Sequence, residues 1–279
     1  MKKKTTKLAT IAVAVLMAGA AMRPAAACEE CQLRKEGTYL GQFTLLGNGT
    51  ARTWVKYGAN GKPATLGITF SETALSGLPE SAPKGMIGVE HNLALPHEAA
   101  ATGFDHIGLD WNPKGHPPDG IYNVPHFDIH FYMWQQQELN KITLKGADKA
   151  LCDRQPESRF LPTGYIMPPG TQVPGMGAHA IDGAAPELQG KPFTYTFIYG
   201  YYNGRVHFIE PMITKAFLET KTAVTVPLKS PAAYQKTGYY PQSYSIKFDE
   251  QRKEYSVALE GLTLHTASPV KATKIAASK

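Results

Sequence analysis

The chain has 279 residues, with 29 Lys+Arg against 23 Asp+Glu and a hydrophobic fraction of 43%. Five of the bases (Lys2, Lys3, Lys4, Lys7 and Arg23) and none of the acids lie in the first 27 residues. Removing that stretch leaves 24 bases against 23 acids, a net charge of +1, so the basic balance of the full chain is no argument for a nucleic-acid partner.

The first 27 residues read as a secretory signal peptide. Four lysines precede an apolar run over 8–21, and Ala25-Ala26-Ala27 offers small residues at the cleavage site before Cys28. A membrane span needs about 20 apolar residues, so no stable span is expected. The pattern predicts a periplasmic or extracellular protein. Lipid anchoring at Cys28 is disfavoured, because Ala25 stands at the −3 position usually held by Leu and Arg23-Pro24 interrupts the run. Cys28, Cys31 and Cys152 leave one thiol over from any disulfide, and the spacing does not select the pairing.

The mature chain is expected to form a single β-rich domain over 28–265, followed by a flexible basic tail over 266–279. Candidate strands at 38–46 and 51–57 flank Asn48-Gly49, a hairpin signal. Asn60-Gly61 leads into a strand at 65–70, and 72–78 reads as a helical turn. Strands follow at 86–95 and 106–111, then a long alternating strand within 122–134 and a helical segment at 135–141. Runs at 193–202 and 205–213 form a hairpin about Asn203-Gly204. A helical turn at 214–220 and strands at 223–228, 243–248 and 254–259 complete the set. Many short strands separated by Gly and Pro predict a mainly β fold, a β-sandwich or distorted β-barrel with a few short helices.

Chemistry concentrates in Pro125-His126-Phe127-Asp128-Ile129-His130-Phe131-Tyr132. Side chains alternate along a strand, so His126, Asp128 and His130 share one face and Phe127, Ile129 and Phe131 the other. The two imidazoles lie about 13 Å apart along an extended strand, too far for one ion unless a bulge intervenes. Asp128 is about 7 Å from each, within reach of converging side chains. A solvated strand face usually carries Lys, Glu, Thr or Ser, so two His about an Asp favour a metal or catalytic role over a plain exposed face.

Glu210 is the second candidate. A two-residue turn at Asn203-Gly204 would pair it with Phe197, Phe208 with Tyr199 and Val206 with Tyr201. That places one carboxylate among aromatic residues, where burial is costly unless a cation or a hydrogen bond meets it. Gly175-Met176-Gly177-Ala178-His179 reads as a loop presenting His179, and Gly115-His116-Pro117-Pro118 as a rigid turn presenting His116. His91, His97 and His106 lie on or near earlier strands.

These motifs, with the stretch from Phe193 to Tyr199 and Glu210-Pro211-Met212-Ile213-Thr214-Lys215-Ala216-Phe217, resemble a family of secreted bacterial proteins, a domain of unknown function with a relative in Thermus. The resemblance runs over about residues 84–262 and implies a shared fold but no activity. The family has an aromatic residue after the loop His, where this chain has Ala180. Cupins also hold His and Glu ligands in a small β-barrel, yet their His-x-His spacing differs from His-x-Asp-x-His.

Two functions are compatible with these residues. The first is a secreted protein that binds a divalent transition metal such as Zn, with His126, His130 and His179 as ligands and Glu210 as ligand or general base. His116 and Asp128 would be ligands or would fix the imidazole tautomers. An open coordination position would make it a metal-dependent enzyme of unnamed substrate. The second is a non-catalytic envelope scaffold or binding protein, in which the cluster is a structural polar network and the 14 tyrosines favour homo-oligomeric contacts. No zinc-protease helix, Ser elbow, P-loop or dinucleotide fingerprint is present.

Overall fold

The computed structural model describes residues 34–269, which lie within one compact unit. The leader, Cys28, Cys31 and most of the tail fall outside the described residues. In chain order the strands are β1 (Gly37–Leu40), β2 (Thr44–Leu46), β3 (Gly49–Tyr57), β4 (Pro63–Ser71), β5 (Val89–Ala94), β6 (His106–Asn112), β7 (His126–Tyr132) and β8 (Tyr165–Ile166). They continue with β9 (Ala178–Asp182), β10 (Tyr195–Tyr202), β11 (Arg205–Thr214), β12 (Val224–Pro227), β13 (Gly238–Tyr240), β14 (Ser243–Asp249), β15 (Glu254–Glu260) and β16 (Thr263–His265).

Two antiparallel seven-stranded sheets carry most of these strands. The first runs β1-β3-β4-β15-β14-β12, with β2 paired to β3, and the second runs β5-β6-β7-β11-β10-β9-β8. Strands β13 and β16 form a separate pair. The sheets face each other across one hydrophobic core. Val55, Leu66, Ile68, Phe70, Val257 and Leu259 come from the first sheet, and Ile107, Leu109, Phe127, Ile129, Phe131 and Ile209 from the second. Phe70 meets Phe127 across the layers with ring centroids 5.9 Å apart, and Phe197 meets Tyr244 at 5.1 Å. The fold is a β-sandwich, with no closed barrel. Burying alternate faces of strands rich in Val, Ile, Phe and Tyr drives this arrangement, since each such side chain is worth about 1.5–3 kcal/mol when fully buried.

The second sheet is also covered on its outer face. Two smaller apolar clusters sit there: Tyr132, Leu139, Ile142, Cys152 and Phe208 in one, and Tyr122, Phe193, Ile198 and Met212 in the other. The connections after β6, β7 and β9 supply much of this third layer. The polar face of β7 is therefore buried rather than solvated, and its polar groups must find partners inside the protein.

Several sequence expectations differ from the fold in detail. The first expected strand is broken by Gly41 into β1 and β2, and the tight turn that follows is Gly47-Asn48, one residue earlier than Asn48-Gly49. The segment carrying His179 is strand β9, not a loop. Glu210 pairs with Ile198 and Phe208 with Gly200, whereas Val206 pairs with Tyr201 as the turn predicts. An extra residue in β11, His207, produces the shift as a β-bulge. Beyond it, Phe197 and Tyr199 face the central core and Glu210 faces outward with Ile198 and Met212.

Candidate metal centre

Four imidazoles and two carboxylates meet on the outer face of the second sheet, in two groups. One contains His116, His126 and Asp128, and the other His130, His179 and Glu210. Within each group the candidate ligand atoms all lie within 4.8 Å of one another. Strand β7 contributes His126, Asp128 and His130 through its period of two; β11 contributes Glu210 and β9 contributes His179. His116 comes from the turn after β6. There Gly115 holds a φ of +70°, and a Cβ would stand 1.9 Å from the Tyr122 carbonyl oxygen, so glycine is required. The backbone N–H of His116 donates to that same oxygen at 3.2 Å.

The two groups share one pattern. His126 Nε2 stands 3.1 Å from Asp128 Oδ1, and His116 Nε2 stands 3.2 Å from Asp128 Oδ2. His130 Nε2 stands 3.5 Å from Glu210 Oε1, and His179 Nε2 stands 3.9 Å from Glu210 Oε2. Each carboxylate thus presents one oxygen to each of two imidazoles.

The far side of three of the four rings is hydrogen-bonded. His116 Nδ1 donates to the Pro117 carbonyl at 2.7 Å, His126 Nδ1 to that of Val124 at 2.6 Å, and His179 Nδ1 to that of Thr171 at 2.7 Å. A carbonyl oxygen only accepts, so these three rings carry a proton on Nδ1 and turn Nε2 towards the carboxylates, and His116 Nε2 is itself hydrogen-bonded to Asp128 Oδ2 at 3.2 Å. His130 points Nδ1 at Asp110 Oδ2 at 3.5 Å. An imidazole whose other nitrogen is anchored by a carbonyl or a carboxylate is the usual arrangement of a metal-ligating histidine.

The spacing is compatible with a cation shared by imidazole and carboxylate. A charge-assisted N–H···O bond closes to about 2.7–2.9 Å. Two ligand atoms each about 2.0–2.2 Å from a shared tetrahedral ion are roughly 3.3–3.6 Å apart. The His116–Asp128 contact at 3.2 Å is a hydrogen bond, and the other three separations, 3.1, 3.5 and 3.9 Å, lie around the second value. His126 Nε2, Asp128 Oδ1, His130 Nδ1 and Glu210 Oε2 are buried and lack a hydrogen-bond partner. His126 and Asp128 approach within 3.1 Å without hydrogen-bond geometry, so proximity alone does not satisfy either atom.

Charge states follow the burial. Burial pulls the His130 imidazole down to about 3. It lowers His179 as well. Both rings are neutral near pH 7. Burial raises Glu210 well above the usual carboxylate range, with Asp128 and Asp110 adding to the rise. Asp110 is raised by burial, Asp128 and Glu90. Burial opposes ionisation of Asp128 too, but His126 and His116 outweigh it and hold this carboxyl below its ordinary range. Burial disfavours the charged His116, yet its hydrogen bond and attraction to Asp128 raise it. A proton on Glu210 given to His179, with the His130 proton on Nε2, satisfies both imidazole contacts, and a cation satisfies them as well.

The surroundings hold the rings. Phe208 packs edge-on against His130 and His179, with centroids 5.0 and 5.3 Å away. It lies over Gly200, where a Cβ would fall 1.9 Å from the Phe208 ring. Phe193 meets His126 at 5.4 Å, and Tyr122 meets His116 at 5.7 Å. The aromatic neighbour expected to be missing through Ala180 is not needed for this packing: Ala180 is in the central core, and Phe208 takes the place against His179.

The six residues singled out in the sequence are all here, although they gather as two groups instead of one. Two contributors were missed. Asp110 backs His130, and Asn112 donates to Asp128 Oδ2 at 2.7 Å. Both lie on β6, where His106, Gly108, Asp110 and Asn112 alternate with the core residues Ile107, Leu109 and Trp111. That alternation was a readable signal. His91, His97 and His106 belong to neither group.

Fold and site together define a β-sandwich with buried His and carboxylate groups able to hold metal. A family described as TTHB210-like, after the hypothetical protein TTHB210, matches residues 58–111. This supports similarity to a Thermus hypothetical protein. The matched segment includes Asp110 and ends before Asn112, so the resemblance motifs from Gly115 onward lie beyond it. No curated protein and no solved structure matches the chain. Among the described residues no helix is long and apolar enough to cross a membrane.

Proposed function

We propose that this is an exported protein that binds a divalent transition metal through its His and carboxylate cluster. The leader pattern of the first 27 residues supports export. The observation that carries the metal reading is the pairing at Glu210: two neutral imidazoles aim Nε2 at its two oxygens in a buried place, where Oε2 has no hydrogen-bond partner. His130 and His179 are nitrogen ligands, and Glu210 is the carboxylate ligand or general base. His126, His116 and Asp128 extend the same donor set, while Asp110 and Asn112 orient it. Imidazole with carboxylate suits Zn, Mn, Fe or Cu.

A bound ion of this kind supplies Lewis-acid or redox chemistry. The chain's own part would be to fix the tautomers, keep bulk water out with Phe208, Tyr122 and Phe193, and place Glu210 to take up or release a proton. A non-catalytic scaffold is the competing reading, and it predicts that the cluster is satisfied without metal.

Metal content of the untagged mature protein, beginning at Cys28, tests this by elemental mass spectrometry beside His126→Ala and Glu210→Ala. Bound metal that falls in both variants is expected. No metal after incubation with Zn, Mn, Cu and Fe, with an unchanged circular dichroism spectrum, would overturn the proposal.

A further inference from the structure

We infer that the cluster is two neighbouring ion sites, each built on its own carboxylate, and that the chain holds two divalent ions. The inference rests on the metal reading above and adds the number and independence of the sites.

The first argument is geometric. His126 and His130 are four residues apart on a regular strand, about 13 Å along its axis, and cannot ligate one ion. The register of β7 against β6 is unbroken from His126 to Tyr132, so no bulge brings the two rings together. Each ring instead turns to a different carboxylate, His126 to Asp128 and His130 to Glu210. His116 from the turn completes the first group and His179 from β9 the second.

The second argument is the distribution of unpartnered atoms. His126 Nε2 and Asp128 Oδ1 are orphaned in the first group and Glu210 Oε2 in the second, all three buried. An ion confined to either group would leave a buried orphan in the other, at about 1–3 kcal/mol for each unsatisfied polar group.

The third argument is charge. Asp110, Asp128 and Glu210 bring three carboxyl groups into one buried region. Among the described residues no Lys or Arg lies within ion-pair distance of any of them. A divalent cation beside each of Asp128 and Glu210 would supply the countercharge that no Lys or Arg provides. The two outer ligands, His116 and His179, have the most exposed side chains of the set, at 20% and 14%. Each group therefore has its own edge towards solvent through which an ion can enter.

Zinc stoichiometry tests this. Mature protein stripped with chelator would be titrated calorimetrically with zinc, and the dialysed product assayed for bound zinc. His116→Ala and His179→Ala, both at the rim, would be compared with the double variant, each checked by thermal melt. Two zinc ions in the parent, one in each single variant and almost none in the double variant are expected. One ion in the parent, lost in both single variants, would overturn the two-site inference and leave the metal function standing. Two ions unaffected by either variant would also overturn it, since they would lie elsewhere. No bound zinc in the folded parent would overturn the metal reading itself.

Discussion

Asn112 donates its side-chain N–H to Asp128 Oδ2 at 2.7 Å from the adjacent strand, and both residues are buried. The bond fixes the carboxylate plane between His116 and His126 and helps to hold its negative charge. Replacing Asn112 by Leu keeps the volume roughly and removes the donor. Metal affinity at the Asp128 group should fall about 10–100-fold, the usual effect of losing an outer partner. Competition with a chelator of known strength measures it, and an unchanged affinity would mean that Asn112 serves packing alone.

Asp110 plays the corresponding part for His130. Asp110→Asn puts an amide that can donate beside Nδ1, which favours the tautomer with its proton on Nε2, facing Glu210. The expected result is weaker binding at the Glu210 group by a similar factor, with the Asp128 group unaffected. Equal weakening at both groups would contradict the separation of the sites.

Gly200→Ala tests the aromatic wall. Its Cβ would enter the Phe208 ring, which is itself packed on His130 and His179, so the ring has little room to retreat. A loss of about 1–3 kcal/mol of stability is expected from overpacking. Weaker metal binding should accompany it. A drop in melting temperature with unaltered affinity would show that Phe208 does not position the ligands.

His207, the extra residue of the β11 bulge, is fully buried, and neither ring nitrogen makes a well-formed hydrogen bond. Burial lowers its pKa from 6.5 to about 3, so the folded state prefers the neutral ring. Its contribution is complete above pH 6.5 and is lost as pH falls towards 3, because the unfolded chain takes up the proton first. His207→Phe should flatten the acid side of the stability profile across that window and cost little at pH 7. Urea unfolding at a series of pH values decides it; an unchanged slope would assign the acid sensitivity to other groups such as His130.

The parts of this protein that follow a simple period were legible in the residues. The alternation in β7 separated Phe127, Ile129 and Phe131 from His126, Asp128 and His130, and the structure places the first three in the core and the second three on the outer face. Glu210 is buried as expected, but on the face of Ile198 and Met212 and not on the face of Phe197 and Tyr199 that the register had suggested. Its strand partner was not legible. His207 adds one residue to β11, and a bulge leaves no mark in composition. Strand β9 was hidden because five residues bounded by glycine also describe a loop. The third layer over the second sheet was out of reach for another reason. Its cover comes from long connections with little regular structure, which carry no periodic signal.

The division of labour along β7 also limits how the gene can change. Every second residue there fills the space between the sheets and every other one reaches the ligand cluster. Inserting or deleting one residue within His126–Tyr132 would push imidazole and carboxyl groups into the apolar interior and turn phenylalanines towards the ion groups. Packing and chemistry would fail together, with no partly working intermediate. Related chains should therefore keep the spacing inside this strand fixed to the residue.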